Sequence, residues 1–447
     1  MRNARAAHAE KKARLLQQFA ASGPGLRLGK DTSNLFRDRR PAGGGRLDVR
    51  AFDAVLEVDA ERGWVDVEGM TPYDALTDAT LAHGLMPAVV PQLKSITIGG
   101  AAAGVGIEAT SFRQGLVHES LLELEVLVGD GRIVTCTPDN EHRDLFFGFP
   151  NSYGTLGYAL RLKARTIPVQ PYVRVERRQY SDAHACFEDL AARCDGTADF
   201  IDGVVFGPRE LYLNEARFVS EAPGVSDYSY RDIYYRSIRD KPVDHLTVRD
   251  YIWRWDTDWF WCSKNVGAQN PLLRRLYGPG RLNSRFYTKV MRWNSRWGLT
   301  RRLERLGGRY SEAVIQDVDI PIRHAAEFLD FFQREIGILP IWICPIRSPD
   351  PAARFDLYPL APGGLYVNFG FWDTVRTRQA QPRGHFNRLV EAKVAQLDGI
   401  KSLYSTSFYE PEAFWAIYGG DAYRRLKAKY DPAGRFKDLY QKCVLRD

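Results

Sequence analysis

A stretch of small residues in the first quarter of the chain constrains the fold more than any other feature of the sequence. Pro91–Ser111 reads PQLKSITIGGAAAGVGIEATS, and five glycines fall between residues 99 and 115. Because glycine has no Cβ, such a run permits positive φ angles and lets a ligand approach the backbone closely. The run therefore predicts one of two structures: backbone amides wrapped around a large cofactor, or a series of tight turns between buried strands.

Size and composition limit the class of protein. With 447 residues the chain is long enough for two domains, and 45% hydrophobic with 26% charged residues is ordinary for a globular protein. The six cysteines show neither CxxC nor Cys/His metal-ligand spacing, which predicts free thiols, a reducing compartment and no metal site. No apolar run approaches the roughly 18–20 residues that span a bilayer, and the first residues lack the apolar core of a signal peptide. We therefore expect no transmembrane segment.

The order of predicted elements is typical of an α+β fold. Strand patterns at 54–58 and 64–68 precede a helix pattern at 71–83, and the glycine-rich loop comes next. Gly129-Asp130-Gly131 between two apolar runs then predicts a β-hairpin. Beyond Pro168 the chain is richer in aromatic residues and arginine, which predicts a second α+β domain. The predicted units are a basic N-terminal helical arm (1–22), a first domain (23–168), a second domain (169–402) and a C-terminal segment (403–447).

Further elements are predicted from the apolar periodicity alone. The helices are expected at residues 4–19, 325–335, 385–397 and 412–429, and the strands at 203–206, 338–344 and 365–371.

Several motifs in a fixed order carry a resemblance to a known family. They are the glycine-rich stretch, LLELEVLVGDGRIVTCTP, DLFFGFPNSYGTLGYALRLKARTIP, LPIWICPI and, near the end, EAFWAIYGGDAYRRLKAKYDPAGRFKDLYQKC. With them the chain resembles the flavoproteins of the vanillyl-alcohol oxidase/PCMH superfamily, most closely the delta-24 sterol reductase (diminuto/seladin) group. The resemblance implies a PCMH-type FAD-binding domain of two α+β subdomains, an α+β substrate (cap) domain, and a C-terminal segment that returns to the FAD domain.

The resemblance also implies where FAD is held. Residues 27–34 match the first pyrophosphate-binding loop, 91–111 the second flavin loop with its ribityl and phosphate contacts, and 154–157 a closing turn; a lysine near the C-terminus is a weaker flavin contact, with a surface lysine as the alternative. Many oxidases of the superfamily tether FAD through a histidine in the first loop or a cysteine in the second. Neither loop has one here, so we expect non-covalent FAD. The implied contacts are Arg27, Lys30, Thr32, Ser33, Asn34, Pro91, Thr97, Gly99, Gly100, Gly104, Gly106, Thr110, Ser111, Gly154, Thr155, Gly157 and Lys442.

Sterol-reductase resemblance implies reduction of an isolated carbon–carbon double bond. Such an alkene has no carbonyl to stabilise a carbanion, so a proton goes to the less substituted carbon and hydride from flavin N5 to the other. An acid is therefore needed. Glu108, in the flavin loop, is the first candidate, with acceptance of backbone hydrogen bonds as its alternative role. Tyr287, Asp258 and Lys264 are the other candidates.

Two further segments are candidates for the walls of the substrate pocket. Residues 251–264, with four tryptophans, are expected either to line the pocket or to pack a domain interface. Trp342 and Cys344 alternate on a predicted strand and are expected to face the flavin or to pack in the core. No complete G-x-G-x-x-G fingerprint follows a strand, so NADPH, the expected donor, has no nucleotide domain of its own. An electron-transfer protein is the alternative donor.

The substrate expected first is a methylene-branched fatty acyl chain of a phospholipid, reduced from 10-methylene to 10-methyl. GLRLGKDTSNLFR, at residues 25–37, is similar to actinobacterial flavoproteins of 10-methyl-branched (tuberculostearic) fatty acid synthesis, and the Arg/Ala/Gly bias suits a GC-rich bacterium. That similarity implies a lipid methyltransferase acting just upstream. The alternatives are a delta-24 sterol side chain, an oxidase or dehydrogenase of a lipid or sugar alcohol, and a lipid-binding protein without flavin.

A basic helix with aromatic residues predicts contact with a membrane surface. Phe286, Val290, Trp293 and Trp297 are spaced along one helical face, among arginines that continue to 309. With a net charge of +7, we expect a cytoplasmic protein on the anionic inner face of the cell membrane. The alternative is a helix packed on the second domain with a solvated basic face. No nucleic-acid module is recognised, so nucleic acid is not an expected partner, and the oligomeric state is left open.

Overall fold

The computed structural model describes residues 2–31, 36–37, 44–297 and 310–445, with side chains from residue 4 and not over 291–300. Thr32, Ser33 and Asn34 of the first predicted flavin loop lie outside these ranges, as do the side chains of Trp293 and Trp297 and the arginines at 301–309. The described residues form helices and antiparallel sheets, which confirms the predicted α+β class.

The α-helices of the described part of the chain occur singly or in groups of two or three before, between and after the strands. They are α1 (Arg2–Ala20), α2 (Tyr73–Leu81), α3 (Ile98–Ala103), α4 (Ser111–Gln114), α5 (Arg143–Gly148), α6 (Ala183–Cys194), α7 (Tyr234–Asp240), α8 (Val248–Ile252), α9 (Pro271–Tyr277), α10 (Ser284–Trp297), α11 (Ala325–Glu335), α12 (His385–Gln396), α13 (Pro411–Ile417) and α14 (Gly420–Tyr430). Among the described residues, none of these helices has the length and apolarity needed to cross a membrane.

In the described part of the chain, eight strands end at or before Pro168 and eight follow it. They are β1 (Arg27–Gly29), β2 (Arg46–Asp48), β3 (Val55–Asp59), β4 (Trp64–Glu68), β5 (Leu85–Pro87), β6 (Leu121–Leu127), β7 (Ile133–Cys136), β8 (Tyr158–Pro168), β9 (Tyr172–Tyr180), β10 (Phe200–Gly207), β11 (Glu210–Val219), β12 (Val243–Thr247), β13 (Tyr310–Pro321), β14 (Ile341–Ile346), β15 (Tyr366–Thr377) and β16 (Ile400–Lys401).

Two larger sheets organise these strands. In the described part of the chain, β3-β4-β8-β6-β7, with β5 paired to β8, form a 6-stranded sheet. An 8-stranded sheet has the order β12-β9-β11-β10-β14-β15-β13-β16. The short β1 and β2 pair separately and in parallel.

The 8-stranded sheet has two different faces because successive side chains of a strand point to opposite sides. Val314, Val318 and Ile320 of β13 pack in one core with helices α6, α11 and α12. Trp342 and Cys344 of β14 lie on the other face, in a core shared with the 6-stranded sheet. The functional cavity lies on this second face.

Two predicted elements differ from the structure. The glycine-rich loop contains a helical turn, α3, which the small residues after Thr97 permit. The single helix expected at 412–429 is two helices, α13 and α14, because Gly419 at φ 60° turns the chain between them. A Cβ at position 419 would lie 2.2 Å from the Asp356 carbonyl oxygen, so that turn has room for glycine only.

Helix α1 lies against the 6-stranded sheet through buried charge pairs. His8 contacts the Glu68 carboxylate at 2.8 Å through Nδ1 and the Glu125 carboxylate at 2.9 Å through Nε2. Lys11 and Lys12 pair with the same two carboxylates. Burial lowers the pKa of His8, but its hydrogen bonds and charge interactions with Glu125 and Glu68 outweigh that effect, and the net pKa is raised. Both ring nitrogens donate, which requires the imidazolium.

The docking of α1 should therefore weaken as the pH rises. A raised His8 pKa means that the stabilisation is complete below about pH 6.5 and is lost as the pH passes through the folded-state pKa. We expect His8→Gln to lower the free energy of unfolding by about 1–3 kcal/mol at pH 5.5 and by less at pH 8.5, measured by denaturant unfolding. The exposed His83→Gln is the matched control, and an equal loss for both variants would contradict the prediction.

Candidate active site

A cavity of about 410 Å³ lies between the glycine-rich loop and the second face of the 8-stranded sheet. Its size is within the roughly 300–1,000 Å³ of ordinary ligand sites. Most of the flavin contacts expected from the sequence line it. These residues are Arg27, Lys30, Pro91, Thr97, Gly99, Gly100, Gly104, Gly106, Gly154, Gly157 and Lys442.

Close backbone contacts fix the loop at this end of the cavity. The Thr97 Oγ1 accepts a hydrogen bond from the Gly100 amide at 3.3 Å and so caps α3. The Gly99 amide donates to the Gly69 carbonyl, and a Cβ at Gly99 would lie 2.6 Å from that oxygen. The loop therefore packs directly on the strand end behind it and presents its backbone to the cavity.

Three expected contacts do not reach the cavity. Thr110 and Ser111 are buried: the Thr110 hydroxyl donates to the Ala88 carbonyl, and Ser111 Oγ accepts from the Glu108 amide. The Thr155 hydroxyl donates to Ser152 O within the closing turn. These hydroxyls are engaged with the backbone and support the two loops, and their assignment as cofactor contacts stays a prediction.

The polar groups at the loop end suit an anionic, acceptor-rich ligand. Arg27 Nε and Gln92 Nε2 are buried donors without a partner among the described residues, and both side chains line the cavity. Lys30, Lys437 and Lys442 add positive charge to the lining. Phosphate and carbonyl oxygens would satisfy such donors. No histidine or cysteine is among the described lining residues.

The opposite end of the cavity is aromatic. Trp259, Phe260, Trp342 and Trp372 line it, with the rings of Phe260 and Trp372 centred 4.4 Å apart. Trp259 and Phe260 have φ angles of 44° and 59°, a conformation that is strained for bulky residues. Such strain persists only where the surroundings impose it, and it is concentrated at functional sites.

Other members of the predicted walls pack behind this surface. Trp253, Trp255 and Trp261 are buried in the core without lining the cavity. Cys344 is also behind the wall, where its Sγ donates to the Glu108 carbonyl at 3.2 Å. The segment 251–264 thus supplies both a wall and its support.

One carboxyl group that the sequence reasoning missed lines the cavity. Asp317 of β13 is there together with Tyr404. Burial, and then the nearby Asp319, raise the pKa of Asp317 to about 8, against a hydrogen bond with Tyr404. In the sequence, Asp317 is one polar residue of an alternating strand, and no local signal distinguishes it.

Known proteins match the glycine-rich loop and, in some cases, most of this chain. Residues 4–137 match a family described as an FAD binding domain. Delta(24)-sterol reductase of Homo sapiens is 26% identical over 407 residues, which cover 87% of this chain and 75% of that protein. The enzyme of the same name from Pisum sativum is 24% identical over 450 residues, covering 89% and 76%. Cytokinin dehydrogenase 7 of Oryza sativa subsp. japonica is 29% identical over 204 residues, covering 43% and 37%.

This chain is an FAD-dependent oxidoreductase. Its family match includes the glycine-rich loop, and the lining donors described above fit the diphosphate and the ring carbonyls of FAD. When bound, FAD supplies hydride or electron transfer. Arg27, Gln92 and the glycine-rich loop would hold FAD at one end of the cavity.

Glu108, the first candidate acid, lies behind the cavity wall of the flavoenzyme. Its carboxylate pairs with Arg254 at 3.2 Å, and the same Arg254 nitrogen contacts Asp202 at 2.8 Å. Burial raises the pKa of Glu108 to about 7 although Arg254 opposes this. Its carboxyl does not line the cavity. Through Arg254 it links the glycine-rich loop to the 8-stranded sheet.

The other three candidate acids are engaged elsewhere. Asp258 forms a two-point ion pair with Arg274, at 2.7 and 2.9 Å. The Tyr287 hydroxyl donates to the Thr257 carbonyl at 2.9 Å, and Lys264 pairs with Asp373 at 2.6 Å. None of the three lines the cavity, and their assignment as proton donors stays a prediction that these contacts do not favour.

Arg27 should contribute measurably to FAD affinity. Replacing it by methionine keeps an unbranched apolar stem and removes the guanidinium with its charge, so we expect the FAD Kd to rise about 10- to 100-fold, as for a lost charged hydrogen bond. The measurement is titration of the apoprotein with FAD. Arg62→Met, at a side chain that is 77% exposed, should leave the Kd unchanged.

The same preparation tests how FAD is attached. Because no described lining residue offers an imidazole or thiol, acid-denatured protein should release all of its flavin, and the intact polypeptide should show the mass of the unmodified sequence. A flavin adduct on the polypeptide would contradict non-covalent binding.

Proposed function

We propose that this flavoenzyme reduces an isolated carbon–carbon double bond in a membrane lipid. The observation that carries the proposal is the aromatic end of the cavity, where Trp259, Phe260, Trp342 and Trp372 adjoin the flavin loop. Protonation of an isolated alkene develops positive charge on the more substituted carbon, and the faces of aromatic rings attract positive charge. The names of the sterol reductase relatives support reduction as the direction of the reaction.

The substrate we propose first is a methylene-branched acyl chain of a phospholipid, which becomes a methyl-branched chain. It has the 1,1-disubstituted alkene that this chemistry needs, and the similarity of residues 25–37 to flavoproteins of branched fatty acid synthesis supports it. A lipid methyltransferase would then supply the substrate. A sterol side-chain alkene is the second candidate, which the sterol reductase relatives favour.

A stopped-flow experiment tests this function. The holoenzyme is reduced anaerobically with NADPH, the proposed donor, or with dithionite, and is then mixed with vesicles that contain a methylene-branched phospholipid. We expect the flavin absorbance to return and the methyl-branched lipid to form in equal amount. The matched control is the saturated lipid, which should leave the flavin reduced.

The other outcomes separate the alternatives. Reoxidation by a sterol with a side-chain double bond, and not by the branched lipid, would favour the second candidate. Reduction of the oxidised enzyme by a lipid or sugar alcohol would contradict the proposal and favour an oxidase or dehydrogenase. If the oxidised-flavin absorbance falls at the same rate with and without NADPH, NADPH is not the donor. That result would favour an electron-transfer protein.

We also propose that the enzyme sits on an anionic membrane surface through α9. Leu272 and Leu276 of this helix are 75% and 77% exposed, and Leu273 beside them is also exposed. Exposed Arg275, together with Arg281 on the following turn, places positive charge around these leucines. This combination is typical of peripheral membrane attachment. Phe286, which the sequence pointed to, instead packs against Tyr277 and Tyr287.

Vesicle sedimentation tests the role of α9. We expect Leu272→Ser/Leu276→Ser to reduce the fraction bound to anionic vesicles at least about tenfold, since burying each leucine contributes about 1.5–3 kcal/mol. Val225→Ser, at an apolar residue that is 50% exposed, is the control and should bind like the wild type. If the wild type and both variants bind the vesicles equally, α9 is not the helix that binds the membrane.

A further inference from the structure

Asp317 occupies an unusual position on the second face of the 8-stranded sheet. It pairs in register with Gly370 on β15 and lines the aromatic end of the cavity with Trp342 and Trp372. A Cβ at Gly370 would lie 2.7 Å from Asp317 Oδ1 and 2.6 Å from the Trp372 ring. The glycine therefore makes room for both the carboxyl and the indole.

The two oxygens of this carboxyl differ in their surroundings. Oδ1 is buried and has no hydrogen-bond partner among the described residues. The phenol of Tyr404 lies near the carboxyl and lowers its pKa, and the Tyr404 hydroxyl accepts a hydrogen bond from Trp372 Nε1 at 2.8 Å.

The ionisable groups around Asp317 favour its neutral form. Asp319 on its own strand and the phenol of Tyr404 act on its pKa, and Asp317 in turn raises the pKa of the phenols of Tyr153 and Tyr358. The cavity lining also contains Arg37 and Lys442. No described arginine, lysine or histidine forms an ion pair with it, in contrast to Glu108 and Asp258. Burial and the Asp319 charge raise its pKa to about 8, so the carboxyl carries a proton at pH 7.

We propose that Asp317 is the catalytic proton donor to the alkene. The Asp317 O–H bond breaks, and its proton forms a C–H bond at the less substituted carbon with the electron pair of the π bond. Hydride from the reduced flavin forms the second C–H bond at the more substituted carbon. The alkene is reduced by two electrons, the flavin is oxidised, and the carboxylate takes a new proton from water.

This assignment rests on the proposed function, since the alkene is the group that accepts the proton. It also explains why one uncompensated carboxyl is present in an otherwise aromatic wall. The rings around it provide a surface where positive charge on carbon is tolerated, and Tyr404 stabilises the carboxylate left after transfer.

The test compares three Asp/Glu-to-amide variants of the holoenzyme. Asp317→Asn removes the proposed acid, Glu108→Gln removes the rival carboxyl, and Asp373→Asn is a matched control on the same sheet outside the cavity lining. We expect Asp317→Asn to slow alkene-dependent reoxidation about 100-fold or more, as for loss of a general acid, while flavin reduction by dithionite and the FAD Kd stay unchanged. Asp373→Asn should reoxidise like the wild type.

Two further readouts distinguish an acid from a merely structural residue. The wild-type reoxidation rate should fall as the pH rises through about 8, the pKa of Asp317, and Asp317→Glu should restore part of the rate with a shifted profile. Infrared spectra of the protein without substrate should show a protonated-carboxyl band at pH 7 that titrates near this pH and is missing in Asp317→Asn.

The possible outcomes distinguish a wrong assignment of Asp317 from a failure of the proposed function. If the wild type is reoxidised by an alkene and Asp317→Asn is equally fast, or if Glu108→Gln alone loses the reaction, the assignment of Asp317 is wrong and the function stands. If no alkene reoxidises the wild type, the proposed function fails and the assignment fails with it. Absence of the infrared band would overturn the assignment whatever the activity.

Discussion

The arrangement of the site depends on one buried cation, Arg254. Its guanidinium contacts Glu108 from the glycine-rich loop and Asp202 from the 8-stranded sheet, and it lies 4.0 Å from the centre of the Tyr251 ring. A buried charge without partners would be strongly destabilising, so both carboxylates must be in place when the chain folds. The indole of Trp342 donates to the same Asp202. One interaction therefore fixes the flavin loop, the second sheet and an aromatic wall relative to one another.

A second buried ion pair connects this wall to the surface proposed to meet the lipid. Asp258 adjoins Trp259 in the chain and holds Arg274 of α9, whose opposite side exposes leucines. The ion pair thus links α9 to the strained residues Trp259 and Phe260, which line the cavity. Glu108, Asp202 and Asp258 are paired with arginine and hold elements together. Asp317 lines the cavity and forms no ion pair with a described residue.

The flavin end of the site could be predicted from the sequence because its determinants are local. Glycines that allow close backbone contact, such as Gly99 against Gly69, are residues of the loop itself, so they can be recognised in the sequence. The orientation of Thr110, Ser111 and Thr155 could not be predicted from the sequence in the same way. Their place in the motif is local, but the direction of each hydroxyl depends on backbone acceptors such as Ala88 and Ser152.

The catalytic end could not be predicted in this way, because its character arises from which sheet face meets which domain. Asp317 lies in a strand of alternating polar and apolar residues, and the polar side of such a strand ordinarily faces water. Glu108 lies in the glycine-rich motif itself, so the sequence points to it first as the acid. The topology reverses these expectations: β13 places Asp317 in the cavity lining opposite Gly370, whereas Glu108 pairs with Arg254 behind the wall. An acid for this chemistry must be both accessible to carbon and free of a compensating cation. Of the candidate carboxyls considered above, Asp317 meets both conditions, and only the assembled sheets reveal it.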